Sequence, residues 1–405
     1  MSGPGAVESP ESPADATSAP EPVLRLELGP AQERARAAFA AFAGREVAPH
    51  AGAWDRAAAT PREVIDRLAA EGYLGAVVPQ GHGGSGMDWV AFGLLNEELG
   101  RACSSVRSLV TVHSMACWAV LRWGSRAQKE HWLPRLASGS ALGAFALSEP
   151  NVGSDAGAVE TVAMADGDSY VLAGRKKWTT YGQLADVFLV FAKAEGKPVA
   201  FLVERGAPGL DVRPLHGITG TRASMLAELV FDGCRVPRES RVAGPGFGLA
   251  VAMSVLEVGR YSVACGCVGL VRACLDASLA YASERVQYGA PIGEHQLVQR
   301  MLANMAADWR AARWLCLRAG WLRDAGDPAA GPETFVAKYF ASTAATRAAL
   351  DAVQIHGANG CSEEYPVERF LRDSRVMEII EGSTQIQQVT IARDELQAFA
   401  RGRGE

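Results

Sequence analysis

The segment FALSEPNVGSD, at Phe145–Asp155, lies where one sequence pattern gives way to another. Upstream of it, from Ala31 to about residue 138, Ala-rich amphipathic stretches separated by glycine and proline predict helices. Such stretches are Arg34–Ala43, Glu63–Ala70 and Trp89–Leu99. A helical region is therefore expected to end just before this segment.

Downstream of the segment, between about residues 141 and 243, the composition changes to short runs of β-branched and aromatic residues. Gly, Pro and Asp turns separate these runs, of which the clearest are Tyr170–Leu172, Val187–Phe191, Val199–Val203 and Leu229–Phe231. The pattern predicts a small β domain inserted between two helical regions.

The pattern becomes helical again after Gly246. Gly248–Ala282 is apolar nearly all round, which is typical of a helix buried among other helices. Further along, apolar residues recur at three- and four-residue spacing and form one helix face. They are Val298, Met301, Leu302, Met305, Trp309 and Ala312. The C-terminal part is therefore predicted to be a bundle of helices.

These patterns together predict an α+β protein. The first residues are rich in Pro, Ser, Ala, Gly and Glu and have almost no large apolar groups, so burial cannot repay their ordering. The predicted parts are a disordered tail at 1–22, an N-terminal helical domain at 23–140, a central β domain at 141–243 and a C-terminal helical domain at 244–405.

Length and charge narrow the class of protein. The chain has 405 residues, enough for two or three domains of about 150 residues. Its 40 basic and 45 acidic residues leave a net charge of -5, which gives no reason to expect nucleic acid or an anionic membrane as a partner. Neither a membrane-spanning run of about 18 apolar residues nor a signal peptide pattern is seen, so we expect a cytoplasmic location.

Cysteine and histidine usage does not indicate a metal centre. The eight cysteines form no CxxC pair and lie among apolar helical residues, so buried free thiols are expected. The seven histidines are scattered, and no metal site is predicted. The glycine-bearing segment Gln354–Gly360 lacks the GxGxxG pattern, and P-loop, HExxH and GxSxG motifs do not occur. A nucleotide hydrolase, a zinc protease and a serine hydrolase are therefore disfavoured.

Glu381, in the run IIEGSTQIQ, is the most informative single residue, and two interpretations of it are open. It can be a solvated acid before a helix that Ser383 or Thr384 caps, which is favourable near a helix N-terminus. Alternatively, its apolar neighbours desolvate the carboxylate on a tight turn, so that it acts as a base toward carbon. The window alone favours the first interpretation.

Four other segments contain residue types that suit a flat cofactor and its phosphates. Small residues in FALSEPNVGSD can bring backbone N–H groups close to a ring and a phosphate. Trp178 and Thr180 would share one face of a strand and could flank a ring. RVQYG closes a long helix with a cation, an amide and an aromatic, and QIHGANG is a glycine-bearing helix end. Each segment alone also fits an ordinary turn, core or helix end.

Taken together and in this order, the segments resemble the acyl-CoA dehydrogenase family. The resemblance runs from about Ala31 to Arg393, and five segments carry it: FALSEPNVGSD, RKKWTTYG, ERVQYGAPIGEHQ, DAVQIHGANG and EGSTQIQ. It implies an N-terminal helical domain, a central β domain and a C-terminal four-helix domain, in a homodimer or homotetramer. FAD would lie between the β domain and the C-terminal helices, across a subunit boundary.

The resemblance assigns a set of residues to FAD. Phe145 and Ser148 would contact the isoalloxazine, and Trp178 and Thr180 would close its other side. Ser154 would contact the cofactor or the thioester. The full set is Phe145, Ser148, Ser154, Trp178, Thr180, Arg285, Gln287, His295, Gln296, Gln354, Gly357, Ala358, Thr384 and Gln385. Within it, Arg285 and Gln287 would reach the pyrophosphate of a neighbouring subunit's FAD.

The resemblance also assigns Glu381 as the catalytic base of an acyl-thioester dehydrogenase. The base would take a proton beside the thioester carbonyl, hydride would pass to the flavin N5, and the backbone N–H of the base would donate to the thioester oxygen. Some members carry the base on another helix, one residue before an arginine that matches Arg260. That position is Gly259 here, so Glu381 is the single candidate.

The expected substrate departs from that of a fatty acyl-CoA enzyme. Straight-chain enzymes often have aromatic residues where this chain has Ile380 and Cys361. GTRASMLAE, GRYSVACGCVGL and VQIHGANGC resemble a branch of polyketide and nonribosomal peptide pathways. That branch is thought to oxidise glyceryl or seryl groups on an acyl carrier protein. In this setting Glu381 could deprotonate a hydroxyl, and Ser154, Glu257, Arg260 and Gly382 are the expected substrate contacts.

Alternatives stay open at this level. Glu257 and Arg260 are three residues apart, so an intrahelical ion pair explains both without a substrate. An acyl-CoA dehydrogenase of fatty or branched-chain acyl catabolism, an oxygen-using flavin oxidase and a noncatalytic scaffold share the fold. The electron acceptor of a dehydrogenase would be a partner such as an electron-transfer flavoprotein.

Overall fold

The computed structural model describes residues 27–402, and the tail predicted at 1–22 lies outside that range. The described chain passes from helices to a β-sheet at residue 143 and returns to helices at residue 248. The predicted α+β class, with helical, β and helical regions in that order, is confirmed.

The N-terminal region is helical, and α4 and α5 are buried along most of their length. The Asp88 carboxylate caps α4 by accepting the Ala91 N–H at 2.6 Å. The helices of this region are α1 (Pro30–Phe42), α2 (Ala51–Ala57), α3 (Arg62–Ala70), α4 (Trp89–Ala102), α5 (Ser104–Trp123) and α6 (Arg126–Ala137). The three helices predicted from sequence correspond to α1, α3 and α4.

The central region forms a mostly antiparallel sheet whose strands follow the order β6-β7-β3-β2-β4-β5-β8. β1 pairs with β4 in parallel, with Phe145 opposite Leu189. The strands are β1 (Gly143–Ala146), β2 (Val162–Asp166), β3 (Ser169–Thr179), β4 (Val187–Ala194), β5 (Lys197–Glu204), β6 (Leu210–Pro214), β7 (Ala227–Pro237) and β8 (Arg241–Val242). All four runs predicted as strands lie within strands.

A buried ion pair ties the loop after β1 to the sheet. The Glu149 carboxylate accepts from Lys176 Nζ at 2.6 Å and from the Thr161 N–H at 2.9 Å. Both charged side chains are fully buried. Since each charge is satisfied inside the protein, the pair fixes the path of the loop that contains Ser148.

The C-terminal region is built around α7, which packs on α4, α5, α8 and α9. Close approach of α4 needs glycine, since a Cβ on Gly100 would lie 2.4 Å from the Gly266 carbonyl oxygen of α7. The helices are α7 (Gly248–Glu284), α8 (Gln296–Asp324), α9 (Ala330–His356), α10 (Val367–Met377) and α11 (Thr384–Gly402), and the short strands β9 (Val286–Gln287) and β10 (Ala290–Pro291) form a hairpin after α7.

The structure shows how far α7 and the cysteines are buried. By length and composition α7 could cross a membrane, but 72% of its most apolar window is buried inside the protein, as in the core helix of a helical domain. All eight cysteines are free. Seven of them are buried, and Cys361 is exposed. The expectation of a buried thiol is wrong for Cys361, because it closes the exposed turn that follows α9.

Candidate active site

Glu381 lies in a left-handed turn between α10 and α11. Its φ angle is 55° and that of Gly382 is 89°. A non-glycine residue in this region is uncommon and persists where surrounding contacts hold it. Ser383 fills the cap position of α11, with its hydroxyl accepting the Ile386 N–H at 3.4 Å. The Glu381 side chain is therefore not needed as the helix cap.

Side chains from three helices hold the two carbonyls of this turn. Arg260 Nε of α7 donates to the Glu381 carbonyl oxygen at 3.2 Å, and Gln387 Nε2 of α11 donates to the same oxygen at 3.1 Å. Lys338 Nζ of α9 donates to the Gly382 carbonyl oxygen at 2.8 Å, and Gln387 Nε2 also reaches it at 2.9 Å. These four hydrogen bonds hold the turn by its carbonyl groups.

The other polar groups of Glu381 have no partner within the protein. Its Oε2 atom is buried and makes no hydrogen bond, and its backbone N–H makes none with residues 27–402 either. A buried carboxylate oxygen without a partner is unfavourable unless a ligand completes its contacts. One residue therefore offers a ligand both a base and a backbone donor.

Burial controls the acidity of this carboxyl. Desolvation raises the pKa of Glu381 to about 7, and the positive charges of Arg260, Lys338 and Arg107 oppose that rise. A carboxyl with a pKa near neutral pH can both accept and return a proton. This environment differs from that of a solvated acid at a helix end.

The glycine at the alternative base position lies directly against the carboxylate. A Cβ on Gly259 would lie 2.3 Å from Glu381 Oε2 and 2.9 Å from Met115 Sδ. Glu381 therefore fills the space beside α7 that a side chain at residue 259 would need. The two base positions of the family compete here for one volume.

The α5–α7 interface beside the carboxylate becomes polar one helical turn away. Thr111 lies four residues before Met115, and Ser262 lies three residues after Gly259, so each shares a face with the residue that adjoins Glu381. The two hydroxyls are 2.6 Å apart, and Arg107 NH1 donates to Thr111 Oγ1 at 2.8 Å.

This hydroxyl pair belongs to a longer buried chain of hydrogen bonds. Ser262 Oγ donates to Asn96 Oδ1 of α4 at 2.6 Å. Arg107 is buried without an ion-pair partner among the described residues, and its NH2 group lies 3.2 Å from Met377 Sδ. We name Asn96, Arg107, Thr111 and Ser262 the polar cluster. These polar side chains lie beside the buried space around Glu381, and they can form hydrogen bonds with oxygen atoms.

The alternative explanation of Glu257 and Arg260, an intrahelical ion pair between them, is wrong. Glu257 pairs with Arg323 of α8 at 3.2 Å. Arg260 turns the other way, toward the Glu381 carbonyl, and its guanidinium lies 4.5 Å from the Phe335 ring centroid. The two side chains separate because α7 packs against different helices on the two sides.

The β-domain residues assigned to FAD form a second group. The Ser148 carbonyl oxygen accepts the Lys177 N–H at 2.9 Å, which places Ser148 beside the segment that contains Trp178. Phe145 packs against Phe191 with ring centroids 5.4 Å apart. Ser154 is exposed in the following loop. The two family segments that carry these residues are thus adjacent.

Regular strand alternation does not place Trp178 and Thr180. The β3–β7 register shifts between Lys176 and Thr179, and β3 ends at Thr179. Trp178 has a φ angle of 66°, and its side chain is 52% exposed. A bulge turns the indole toward solvent, and Thr180 lies in the turn after the strand. The expectation of a shared strand face is therefore wrong.

The remaining assigned residues lie away from Glu381. His295 Nε2 is 3.3 Å from the Gln287 carbonyl oxygen of the β9–β10 hairpin. Asn359 Nδ2 donates to Tyr281 Oη at 3.0 Å, which brings the ends of α9 and α7 together. The residues at these two ends, all exposed except the half-buried His295, are Arg285, Gln287, His295, Gln296, Gln354, Gly357 and Ala358. No hydrogen bond or ion pair among residues 27–402 joins them to Glu381.

Thr384 and Gln385 begin α11. The Thr384 hydroxyl donates to the Glu378 carbonyl oxygen at 3.4 Å and is buried, whereas Gln385 is exposed. Thr384 therefore lies beside the turn of the base, and Gln385 faces outward.

Sequence reasoning missed Lys338, Gln387 and Arg107. A signal existed for Lys338, because it is an isolated lysine among the buried alanines of α9. Gln387 lies in the EGSTQIQ segment, but nothing in the pattern shows that its amide folds back on the turn. Arg107 stands in a helical stretch, residues 103–111, that has no acidic residue to pair with it.

Comparisons with protein families cover nearly the whole described chain. Residues 29–140 match the acyl-CoA dehydrogenase N-terminal domain, residues 144–234 the middle domain and residues 246–396 the C-terminal domain. The probable acyl-CoA dehydrogenase YngJ of Bacillus subtilis (strain 168) is 40% identical over 91% of this chain and 99% of its own length. The mitochondrial short-chain specific acyl-CoA dehydrogenase of Mus musculus is 38% identical over 92% of each chain.

Solved structures agree. Butyryl-CoA dehydrogenase from Megasphaera elsdenii has a TM-score of 0.89 and 34% identity over 92% of this chain and 100% of its own. FkbI, described as acting in biosynthesis of the methoxymalonyl extender unit of the Fk520 polyketide, has a TM-score of 0.82 and 36% identity. The match covers 89% of this chain and 99% of FkbI. The prolyl acyl carrier protein oxidase AnaB has a TM-score of 0.85 and 28% identity. The match covers 91% of this chain and 99% of AnaB.

Proposed function

This chain belongs to the acyl-CoA dehydrogenase family and is an FAD-dependent oxidoreductase, and from that premise we propose that it oxidises a short polar acyl group held as a thioester on an acyl carrier protein. The acyl group would be of the glyceryl or seryl type used in polyketide and nonribosomal peptide pathways. The observation that carries the proposal is the polar cluster behind Glu381.

The residues present fit FAD, the cofactor of the family. An exposed indole at Trp178, held by a backbone bulge beside Ser148, is a flat apolar surface available to an aromatic ring. The Glu381 Oε2 atom and backbone N–H are left for the thioester. When bound, FAD supplies the acceptor for the hydride that leaves the substrate.

Glu381 can perform two parts of the reaction. Its backbone N–H, which has no partner among residues 27–402, would donate to the thioester oxygen and stabilise the negative charge that develops there. Its carboxylate would take the substrate proton, from the α-carbon or, in a substrate oxidised at an alcohol carbon, from the hydroxyl. Because the turn is held from behind, both groups keep a fixed relation to the substrate.

The polar cluster favours an oxygen-bearing acyl group over an alkyl chain. Thr111 and Ser262 are buried, and their hydroxyls are hydrogen-bonded to each other and to Arg107 and Asn96, so an alkyl end placed against them would gain no hydrogen bond. A hydroxyl or carboxylate end would instead accept or donate hydrogen bonds there, and the Arg107 guanidinium is not engaged by any carboxylate of the described chain. The similarity to AnaB, a prolyl acyl carrier protein oxidase, supports a carrier-protein thioester, and the similarity to FkbI supports a polyketide extender unit as the product.

A panel of thioesters tests the proposal. The enzyme is mixed anaerobically with glyceryl-, seryl- and butyryl-thioesters, each on acyl carrier protein and on CoA, while flavin absorbance is followed. We expect glyceryl- or seryl-carrier protein to bleach the flavin fastest, and mass spectrometry to show the loss of two hydrogens from the acyl group. Bleaching by CoA thioesters alone would refute the carrier, and fastest bleaching by butyryl thioesters would refute the polar substrate.

The Thr111→Val variant isolates the role of the polar cluster. Valine keeps the shape and removes the hydroxyl, so we expect the preference for glyceryl over butyryl thioester to fall at least about tenfold. The ratio of the two rate constants is the readout, because a general structural loss would lower both. An unchanged ratio would contradict contact between the cluster and the acyl group.

A short-chain acyl-CoA substrate of catabolism is the second candidate. It is favoured by the similarity to the mitochondrial short-chain enzyme over 92% of each chain. An oxidase is a further outcome, and hydrogen peroxide produced in stoichiometric amount during aerobic turnover would identify it. For a dehydrogenase, we propose an electron-transfer flavoprotein as acceptor, a homodimer or homotetramer as assembly, and a cytoplasmic location.

Flavin reduction is expected to follow the ionisation of Glu381. Burial raises the pKa of this carboxyl to about 7, and the base acts as the carboxylate. The rate constant should therefore fall about tenfold per pH unit below that pKa and become level above it. Anaerobic stopped-flow measurements across the pH range check this. A rate constant that stays level through pH 7 in the wild type would contradict the assignment of the base.

A further inference from the structure

Lys338 is a fully buried lysine beside the turn of the base. It lies on α9 with 0% of its surface exposed, and within residues 27–402 the one hydrogen bond of its side chain runs from Nζ to the Gly382 carbonyl oxygen at 2.8 Å. No ion-pair partner of Lys338 occurs in the part of the chain that the structure describes. A buried ammonium is unfavourable unless nearby groups compensate it, so its surroundings must favour the charge.

The charged and titratable groups that face Lys338 lie on α7 and on the turn between α10 and α11. Desolvation lowers the pKa of Lys338 to about 8, while Cys267 of α7, Glu381 and Glu378 favour its charged form and Arg260 of α7 disfavours it. Glu381 and Glu378 lie on the turn itself. The Lys338 ammonium therefore faces both α7 and the segment that holds the base, and its hydrogen bond goes to that segment.

The hydrogen bond also has a geometric consequence. Glu381 and Gly382 both have left-handed backbone, and the Gly382 carbonyl has donors from Lys338 and Gln387. The Glu381 carboxylate lies against Gly259, where a Cβ would be only 2.3 Å from it. A small rotation of the turn would displace the carboxylate, because the backbone that Lys338 holds adjoins it directly.

We propose that Lys338 is a positioning residue for the base: its ammonium holds the Gly382 carbonyl so that the Glu381 carboxylate stays against α7, and its charge favours the ionised form of that carboxylate. The inference rests on the proposed function of Glu381. It adds a residue that is fully buried and acts on the base through the Gly382 carbonyl.

Three variants separate the charge of Lys338 from its hydrogen bond. Lys338→Met removes both, Lys338→Gln retains a donor without charge, and Lys338→Arg retains both. Lys197→Gln, at an exposed position on β5, removes one positive charge far from the turn and serves as the control for net charge.

The measurement is the pH profile of anaerobic flavin reduction by each holoenzyme, with the thioester that reduces wild type fastest. We expect the midpoint to rise by about one pH unit in Lys338→Met and Lys338→Gln, since an opposite charge nearby favours the carboxylate. The rate constant on the alkaline plateau should fall about tenfold in Lys338→Met but less in Lys338→Gln. Lys338→Arg and Lys197→Gln should keep the wild-type midpoint.

The outcomes distinguish this inference from the proposed function. Unshifted midpoints in folded, FAD-loaded Lys338→Met and Lys338→Gln would overturn the role of Lys338 and leave Glu381 as the base. If Lys338→Met does not fold, Lys338→Gln carries the test of the charge. A wild-type rate in Glu381→Gln would instead refute the base itself.

Discussion

The Glu381→Gln variant is expected to reduce its flavin at least about a hundredfold more slowly than wild type while still binding FAD. Glutamine keeps the length and the backbone of the turn, where Arg260, Lys338 and Gln387 hold only main-chain carbonyls. The donor to the thioester oxygen, the Glu381 backbone N–H, is also retained. The substitution therefore removes the proton acceptor and little else.

Anaerobic stopped flow with the fastest thioester of the panel measures this loss. Flavin content per chain, from the absorbance of the purified protein, is the control for cofactor binding. The remaining rate should no longer depend on pH near 7, because the group that ionises there is absent. Reduction within about threefold of the wild-type rate would remove Glu381 from the mechanism, since a general base contributes far more than that.

The fold was predictable because repeating patterns of apolar and β-branched residues mark its helices and strands. Helices α1, α3 and α4 and the strands of the sheet follow from apolar spacing and β-branched runs, and their burial in the structure has the same cause. The bulge at Trp178 was not predictable, because a shift of register depends on how β7 pairs with β3 and not on the residues of β3 alone.

The site was predictable only where its residues lie in short, ordered segments. Glu381 could be singled out because the family motif surrounds it, whereas the positive charges that act on its pKa come from α5, α7 and α9, which are distant in sequence. The Glu257–Arg260 pair illustrates the limit: three-residue spacing on a helix permits an ion pair, but Arg323 of α8 and the Glu381 carbonyl compete for the two side chains. Local spacing cannot show which tertiary partner wins.

The two halves of the site differ in how they are held. Glu381 is restrained by side chains from α7, α9 and α11, so its position depends on the packing of the C-terminal helices. Trp178 and Ser148 are restrained by the sheet and by the buried pair of Glu149 and Lys176. Substitutions near the base are therefore expected to change the rate of flavin reduction with little effect on FAD content.

The Gly259→Ala variant tests most directly whether the rate of flavin reduction can change without a change in FAD content. We expect it to slow flavin reduction about a hundredfold while FAD stays bound. The new Cβ would lie 2.3 Å from Glu381 Oε2 and 2.5 Å from its Cδ, distances that no pair of unbonded atoms sustains. The carboxylate is the flexible end of its side chain and must move, whereas α7 gains a better helix former. Misplacement of a reacting group by about 1 Å is sufficient for a loss of this size.

Gly52→Ala is the matched control, because it makes the same substitution within a helix, α2, and its Cβ would meet Arg56 NH1 at an ordinary 3.6 Å. It should reduce its flavin at the wild-type rate. Melting temperature and FAD content show whether Gly259→Ala stays folded, and the rate constant at saturating thioester separates a displaced base from weaker binding. A folded, FAD-loaded Gly259→Ala enzyme with a wild-type rate constant would mean that the working carboxylate does not lie against α7, since no other position of that carboxylate competes with a side chain at residue 259.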